Sequence, residues 1–199
     1  MGAAERDEEA RSEYREQVKG HQASGFVVVD ECGSNVNLTP RYARAPRGER
    51  AYGKAPRNTE ANTTLIASIT TGGMGPAMLL TGATDTAAFE VYIEKVLVPS
   101  LHPGEVVVMD NLSAHKSERV RKLIEAIGCE LWYLPSYSPD LSPIEEAFSK
   151  LKHLLRKAEA RTREALEKAI AEALELITHE DATGYFSHCS YGVAVAQAQ

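Results

Sequence analysis

A chain of 199 residues is long enough for one α/β domain with a core of its own. With 43% hydrophobic and 25% charged residues it has the make-up of a water-soluble globular protein, and no apolar run approaches the roughly 20 residues that span a bilayer, which excludes a membrane partner. A net charge of −6 argues against a nucleic-acid partner only if that charge is spread evenly, and it is not.

Residues 1–20 and 164–181 together carry −7, so the remainder of the chain carries +1. Within that remainder Arg41, Arg44, Arg47, Arg50, Lys54 and Arg57 are interrupted only by the acid Glu49. Pro40, Pro46, Gly48, Gly53 and Pro56 lie among them, so the run reads as an extended basic arm over 35–57. Such an arm is either a solvated face or a phosphate-contacting segment of a DNA-binding protein. The charged N-terminus lacks the apolar stretch of a secretory signal. Cys32, Cys129 and Cys189 are odd in number and widely spaced, which suggests a reducing cytoplasm without disulfides or a zinc site.

Glu8 to Lys19 reads as a short charged helix or frayed lead-in, and 1–24 as a segment ahead of the domain proper. Phe26-Val27-Val28-Val29-Asp30 is an apolar run ending in an acid, the pattern of a buried central strand. Thr63–Thr70 and Pro76–Leu80 read as two strands joined by a hairpin turn over Thr71–Gly75. Thr86–Val98 has apolar residues at helical spacing, at Ala87, Val91, Ile93, Val96 and Leu97. Glu105 to Asp110 is a second buried strand ending in an acid. Ser117–Ile127 is a helix closed by Gly128, and Cys129–Leu134 is a third strand stopped by Pro135. After a loop over Ser136–Asp140, Ser142-Pro143-Ile144-Glu145 opens a helix towards Lys157. Thr162–Ile177 is amphipathic, with Leu166, Ile170, Ala173, Leu174 and Ile177 on one face. A short helix around Asp181–Phe186 and a tail from 188 to 199 complete the chain, with the main domain spanning 25–187. The order predicts an α/β fold with a mixed sheet and helices on both faces.

The chemistry is suggested by the acids. In a parallel sheet the C-terminal strand ends share one edge, where ligands bind. Asp30 and Asp110 would meet there, although an Asp at a strand end also serves simply to start a turn. Glu145 is ambiguous as well. With Ser142 it forms S-x-x-E, a capping box, in which it would bond the Ser142 backbone N–H; alternatively it supplies a third carboxylate to the same crevice. Clustered carboxylates repel one another, and Mg²⁺ relieves that repulsion while accepting phosphate oxygens as further ligands. Two such ions about 3.5–4 Å apart can drive phosphodiester cleavage.

The segments Asp110-Asn111-Leu112-Ser113-Ala114-His115 and Tyr137-Ser138-Pro139-Asp140-Leu141-Ser142-Pro143-Ile144-Glu145 sharpen this picture. They closely resemble the D-N-x-x-x-H and Y-S-P-D-x-x-P-I-E signatures of bacterial insertion-sequence transposases of the mariner-like superfamily, whose catalytic domain is a DDE superfamily endonuclease. The 34 residues between Asp110 and Glu145 match that family's gap. Asp30 in Val28-Val29-Asp30-Glu31 matches its first acid, and the likeness runs from about Val27 to Gly192. The resemblance implies a ribonuclease H-like fold with a five-stranded mixed sheet, three parallel strands plus an antiparallel hairpin. It implies Asp30, Asp110 and Glu145 as catalytic ligands of two Mg²⁺ or Mn²⁺ ions. It also implies nicking at transposon ends, strand transfer of the freed 3′-OH into target DNA, and a homodimer that brings two ends together. The arm lies where relatives carry a clamp that touches DNA or a partner subunit.

Supporting roles follow. Asn111 and His115 would stand behind the metal ligands, with a DNA phosphate contact or a helix cap as further possibilities for His115. Glu31, next to Asp30 on a strand, should point to the opposite face and away from the site. Asp140 should make a turn. Lys116, Lys152 and Arg156 join the arm residues as DNA contacts, Lys152 and Arg156 lying near the Glu145 face of its helix. Tyr137 could stack on a base or sugar, and Trp132 should be core. Relatives carry helix-turn-helix modules ahead of the catalytic domain, and about 25 residues precede the first strand here. A polypeptide from an upstream frame could supply that module. The alternatives to an active transposase are a remnant that binds DNA or dimerises, and a stand-alone nuclease of the same fold.

Overall fold

A computed structural model describes residues 6–54, 56–57, 61–112 and 115–192. The first five residues of the expected lead-in, Ala55 of the arm, Ser113 and Ala114 of the Asp110 motif, and the last seven residues of the expected tail lie outside the described residues.

The chain runs α1 (Glu8–Lys19), β1 (Phe26–Ser34), β2 (Thr63–Thr70), β3 (Gly73–Thr81), α2 (Thr86–Tyr92), β4 (Val106–Met109), α3 (Glu118–Glu125), β5 (Glu130–Tyr133), α4 (Pro143–Ala158), α5 (Arg163–Glu175) and α6 (His179–His188). The five strands form one sheet in the order β3-β2-β1-β4-β5. β1, β4 and β5 are parallel, and the β2–β3 hairpin is antiparallel to β1, so the expected mixed sheet is present.

Alternation along each strand divides the core in two. Phe26, Val28 and Cys32 face one layer, with Tyr14 and Val18 of α1, Ile144 to Leu155 of α4, Leu166 and Ile170 of α5, and Phe186 of α6. Val27, Val29 and Ile66 face the other, with Phe89 and Tyr92 of α2 and Val120 and Ile124 of α3. Helices therefore cover both faces of the sheet. The apolar side chains that α4 buries each contribute about 1.5–3 kcal/mol, which fixes the helix that carries Glu145 against β1.

The structure departs from the sequence reading in several places. β1 continues past Asp30 to Ser34, because β2 pairs with it from Val28↔Ile69 as far as Ser34↔Thr63. The hairpin turn is only Thr71-Gly72, and β3 begins at Gly73, whose φ of 125° suits glycine. Gly75 then lies inside β3, where an added Cβ would stand 2.4 Å from Ser68 Oγ. Thr86–Val98 is not one α-helix: a π turn over Ile93–Leu97 and a 3-10 turn over Val98–Ser100 follow Tyr92. Within α2 itself Phe89 and Tyr92, three residues apart, share the face that enters the core, while Val91 is 50% exposed. α6 is longer than expected because Thr178 and Asp181 form a capping box at its start. α1 is a packed helix, and Cys189 and Tyr191 are buried as well, with the Tyr14 and Tyr191 hydroxyls 2.7 Å apart. Trp132 is partly buried, edge-on to Tyr14 and Phe26. No helix among the described residues is long and apolar enough to cross a membrane.

Candidate active site

The parallel ladder sets the first two acids side by side. β1 and β4 pair as Phe26↔Val106, Val27↔Val107 and Val28↔Val108, and that register carried forward brings Asp30 beside Asp110. β4 stops at Met109, so the two strands part just before the acids. Into that opening comes the start of α4. Asp30, Asp110 and Glu145 line one cavity of about 400 Å³, together with Asn111, Leu112 and the loop from Leu134 to Ser142.

Glu145 does not cap its helix. Ser142 is the N-cap residue but makes no side-chain capping bond, and Pro143 fills the first turn with no N–H that needs an acceptor. The carboxylate is thereby left to the cavity. Burial pushes the Asp30 carboxyl up to about 7, and the negative charges of Glu145, Asp110 and Glu31 push the same way against one hydrogen bond from the Glu31 N–H. Asp30 therefore lies within electrostatic reach of the other acids.

Among the described residues no three His, Cys, Asp or Glu side chains already converge around a metal-sized point. The donor set nevertheless suits a hard divalent cation. It consists only of carboxylate oxygens, it opens on a cavity, and the neighbouring carboxylates disfavour the charged form of Asp30.

Two loops are tied together at the mouth. Asn111 Nδ2 donates to Ser136 Oγ at 3.2 Å, and Leu112 N–H donates to Asp110 Oδ1 at 3.0 Å. Tyr137 has φ 54°, in the left-handed region, and its ring is exposed on the cavity wall. Such strain in a non-glycine residue costs of order 1–3 kcal/mol and clusters at functional sites.

His115 departs from one of its expected roles. It is 1% exposed, with Nδ1 2.5 Å from Asp110 Oδ1 and Nε2 within 3.0 Å of Glu31 Oε1. Both ring nitrogens are thus engaged, which fits the supporting role and leaves none for a DNA phosphate. Burial alone would lower its pKa, but the bonds to Asp110 and Glu31 and their charges outweigh burial and raise it to about 9. Glu31 points to the other sheet face as alternation requires, yet it reaches the site through His115. Asp140, expected only to make a turn, accepts two bonds from Arg11 of α1, at 3.0 and 2.5 Å. Arg11 is fully buried, and it holds the 3-10 turn Pro139–Leu141 from below. Arg11 does not stand out in the sequence, and alternation places Glu31 away from the site. The available signal was the i, i+3, i+7 spacing of Arg11, Tyr14 and Val18, which marks one buried helical stripe.

The expected DNA contacts divide into two groups. Arg41 and Arg156 line a second groove with Pro40, Tyr42, His153 and Lys157, between the base of the arm and α4. Arg161 secures that base by donating to the carbonyls of Val36 and Leu38. Lys152 lies on α4 next to Cys32, where its charge opposes the upward push of burial on the thiol. Arg44, Arg47, Arg50, Lys54 and Arg57 are exposed along the arm. Lys116 is exposed too, 6.0 Å over the Tyr133 ring.

Residues 25–167 match the family described as DDE superfamily endonuclease. None of the curated proteins matches the chain. The fold is shared with a pre-cleavage Mos1 transpososome at a TM-score of 0.75 and 18% identity, over 94% of this chain and 59% of that one. A mariner Mos1 paired end complex with Mg gives 0.69 and 18%, over 94% of this chain and 61% of that one. The isolated catalytic domain of Mos1 mariner transposase gives 0.65 and 18%, over 92% of this chain and 85% of that one. At such identities the likeness establishes architecture, a ribonuclease H-like five-stranded mixed sheet. The chain spans less than two thirds of the Mos1 chains in the two complexes.

Proposed function

Since the matching segment covers most of its length, the chain belongs to the DDE superfamily endonucleases, and we propose that it is the catalytic part of a transposase of the mariner-like insertion-sequence type. In this reading it cuts DNA at transposon ends and joins the freed 3′-OH to target DNA. The observation that carries the reading is the convergence of Asp30, Asp110 and Glu145 on one cavity at the sheet edge. The Mos1 complexes of the same fold, a pre-cleavage transpososome and a paired end complex with Mg, support the extension to transposon-end DNA and a divalent metal.

Asp30, Asp110 and Glu145 would hold Mg²⁺ or Mn²⁺, two ions per site. Bound there, the metal supplies a more acidic attacking water or 3′-OH and neutralises charge on the leaving oxygen. The protein's own part is mainly positional. β1 and β4 fix two carboxylates through backbone pairing, and α4 brings the third. Asn111 and Ser136 keep the motif loops together. The cavity leaves space for a phosphodiester between the acids and the exposed Tyr137 ring. Arg41, Arg156, Lys152, Lys116 and the arm arginines would neutralise DNA phosphates on either side. A homodimer pairing two DNA ends, and a helix-turn-helix polypeptide from an upstream frame, belong to the same proposal.

The test is nicking of supercoiled plasmid and labelled transposon-end DNA by the purified chain with Mg²⁺, with Mn²⁺ and with EDTA, beside Asp110→Asn. Metal-dependent nicking lost in the variant is the expected result. Metal-independent nicking, or nicking that survives in Asp110→Asn, would overturn the assignment. If well-folded protein cuts only after an upstream polypeptide is added, DNA end recognition lies in that partner. If it cuts in neither case, the chain is a DNA-binding or dimerising remnant.

A further inference from the structure

Asp110 sits at the end of a strand, where its side chain could rotate freely, yet two donors converge on one of its oxygens. Leu112 N–H and His115 Nδ1 both bond Oδ1, at 3.0 and 2.5 Å. Both hydrogen bonds described at this carboxylate therefore fall on the same atom, and Oδ2 is left for a ligand in the cavity. His115 is fixed in turn. Its Nε2 lies 3.0 Å from Glu31 Oε1 and 2.9 Å from Oε2, and its ring stacks on buried Phe89 at 4.2 Å between centroids. The carbonyl of His115 accepts from the Tyr133 hydroxyl at 3.1 Å, which fastens the backbone to β5.

This arrangement is costly for a purely structural element. It withdraws two carboxylates and an imidazole from water, at side-chain exposures of 31%, 18% and 1% for Asp110, Glu31 and His115. Apolar side chains of similar volume would hold the same elements together at least as well. The expense makes sense where one carboxylate oxygen must be held in a fixed direction. We propose that Glu31 and His115 are positioning residues, a relay across the sheet that clamps Asp110 Oδ1 and so presents Oδ2 to the catalytic metal. The relay explains why an acid follows Asp30 directly: one of the pair serves the cavity, and its neighbour serves the same cavity from behind. Orienting partners of this kind typically govern metal affinity about 10- to 100-fold.

The inference rests on the proposed metal-dependent nuclease, so the test keeps the two apart. Wild type, Asp110→Asn, His115→Asn, His115→Gln and Glu31→Gln are compared by calorimetric Mn²⁺ binding without DNA, and by kcat and KM for plasmid nicking. Asn can place its amide N–H where Nδ1 stands and retain the bond to Asp110. Gln reaches the Nε2 position and retains only the bond to Glu31. We expect His115→Gln to weaken Mn²⁺ binding about 10- to 100-fold and to lower kcat at near-constant KM, with His115→Asn, which keeps the Asp110 bond but not Glu31, binding more tightly than His115→Gln. Glu31→Gln keeps an acceptor but loses the charge, and should weaken Mn²⁺ binding about tenfold. A packing role predicts the reverse order at position 115, because Gln is closer to His in volume; that order, or Glu31→Gln binding like wild type, overturns the relay. If His115→Gln does not fold, Glu31→Gln, at the partly exposed end, decides alone. Loss of Mn²⁺ binding in Asp110→Asn with full binding in both Glu31→Gln and His115→Gln removes only the relay. Wild-type binding and nicking in Asp110→Asn removes the nuclease assignment itself.

Discussion

The cavity and the basic arm are built on opposite plans. Every acid of the cavity is fixed by something rigid: Asp30 by a strand paired on both sides, Asp110 by the end of a parallel strand, Glu145 by the first turn of a helix that buries six side chains. Even the loop that closes the cavity is held from beneath by Arg11. The arm beyond Leu38, in contrast, leaves its described residues exposed almost throughout, and the Tyr42 ring is 91% exposed. Chemistry at a phosphodiester requires preset geometry, whereas contact with a long polyanion requires charge and reach. The two regions divide those requirements between them.

The comparison breaks most visibly at the acids. Asp30→Asn, Asp110→Asn and Glu145→Gln should each lower nicking by roughly three orders of magnitude, the equivalent of several kcal/mol of metal-derived stabilisation. For Glu145→Gln the melting temperature adds discrimination. Stability unchanged within about 0.5 kcal/mol fits a residue that serves the cavity, whereas a loss of about 1 kcal/mol with nicking retained would return it to a capping role.

At the arm the expected response is electrostatic. Neutralising Arg44, Arg47 and Arg50 together should reduce the slope of log binding against log salt by about 2.7, at about 0.9 per phosphate contact, with no change in melting temperature. An unchanged slope would show that these arginines do not meet DNA. On the rigid side, Arg11→Ala should destabilise by about 2 kcal/mol, less than the 3–5 kcal/mol for a fully buried pair because Asp140 stays in contact with water. Denaturant unfolding measures it, and a loss below about 0.5 kcal/mol would mean that the loop is held by other contacts.

The last expected effect is in pH. Asp30, raised to about 7, must lose its proton to bind metal. Mn²⁺ affinity should therefore climb by up to about tenfold per unit between pH 5 and 7 and level off above. The sign is opposite for the stability that His115 confers. Its folded value of about 9 lies above the ordinary 6.5, so that contribution is complete below pH 6.5 and disappears as pH rises through 9. The gap in melting temperature between wild type and His115→Gln should narrow over that range.

Much of this was legible in the sequence because one physical signal dominated. Val27-Val28-Val29 and Val106-Val107-Val108 are too apolar and too β-branched to be anything but interior strands, and Gly128 with φ 80° marks a helix end. Ser142-Pro143-Ile144-Glu145 was ambiguous because the same residues serve a cap and a catalytic helix start equally well; only the missing side-chain capping bond decides. The Glu31–His115 contact was beyond reach, since it joins residues 84 positions apart and alternation directs Glu31 away from the site. α1 hid its buried face behind a charge, because an arginine at a core position is invisible until its partner Asp140 is placed.

One further point lies in where the ladder between β1 and β4 ends. Its last paired residues are Val28 and Val108, both without solvent exposure, two positions before the acids. Beyond them the ladder has no further pairs, and Asp30 and Asp110 follow on the two strands past its end. A change of side-chain volume at either valine would therefore reach the acids through the backbone, although neither valine meets solvent.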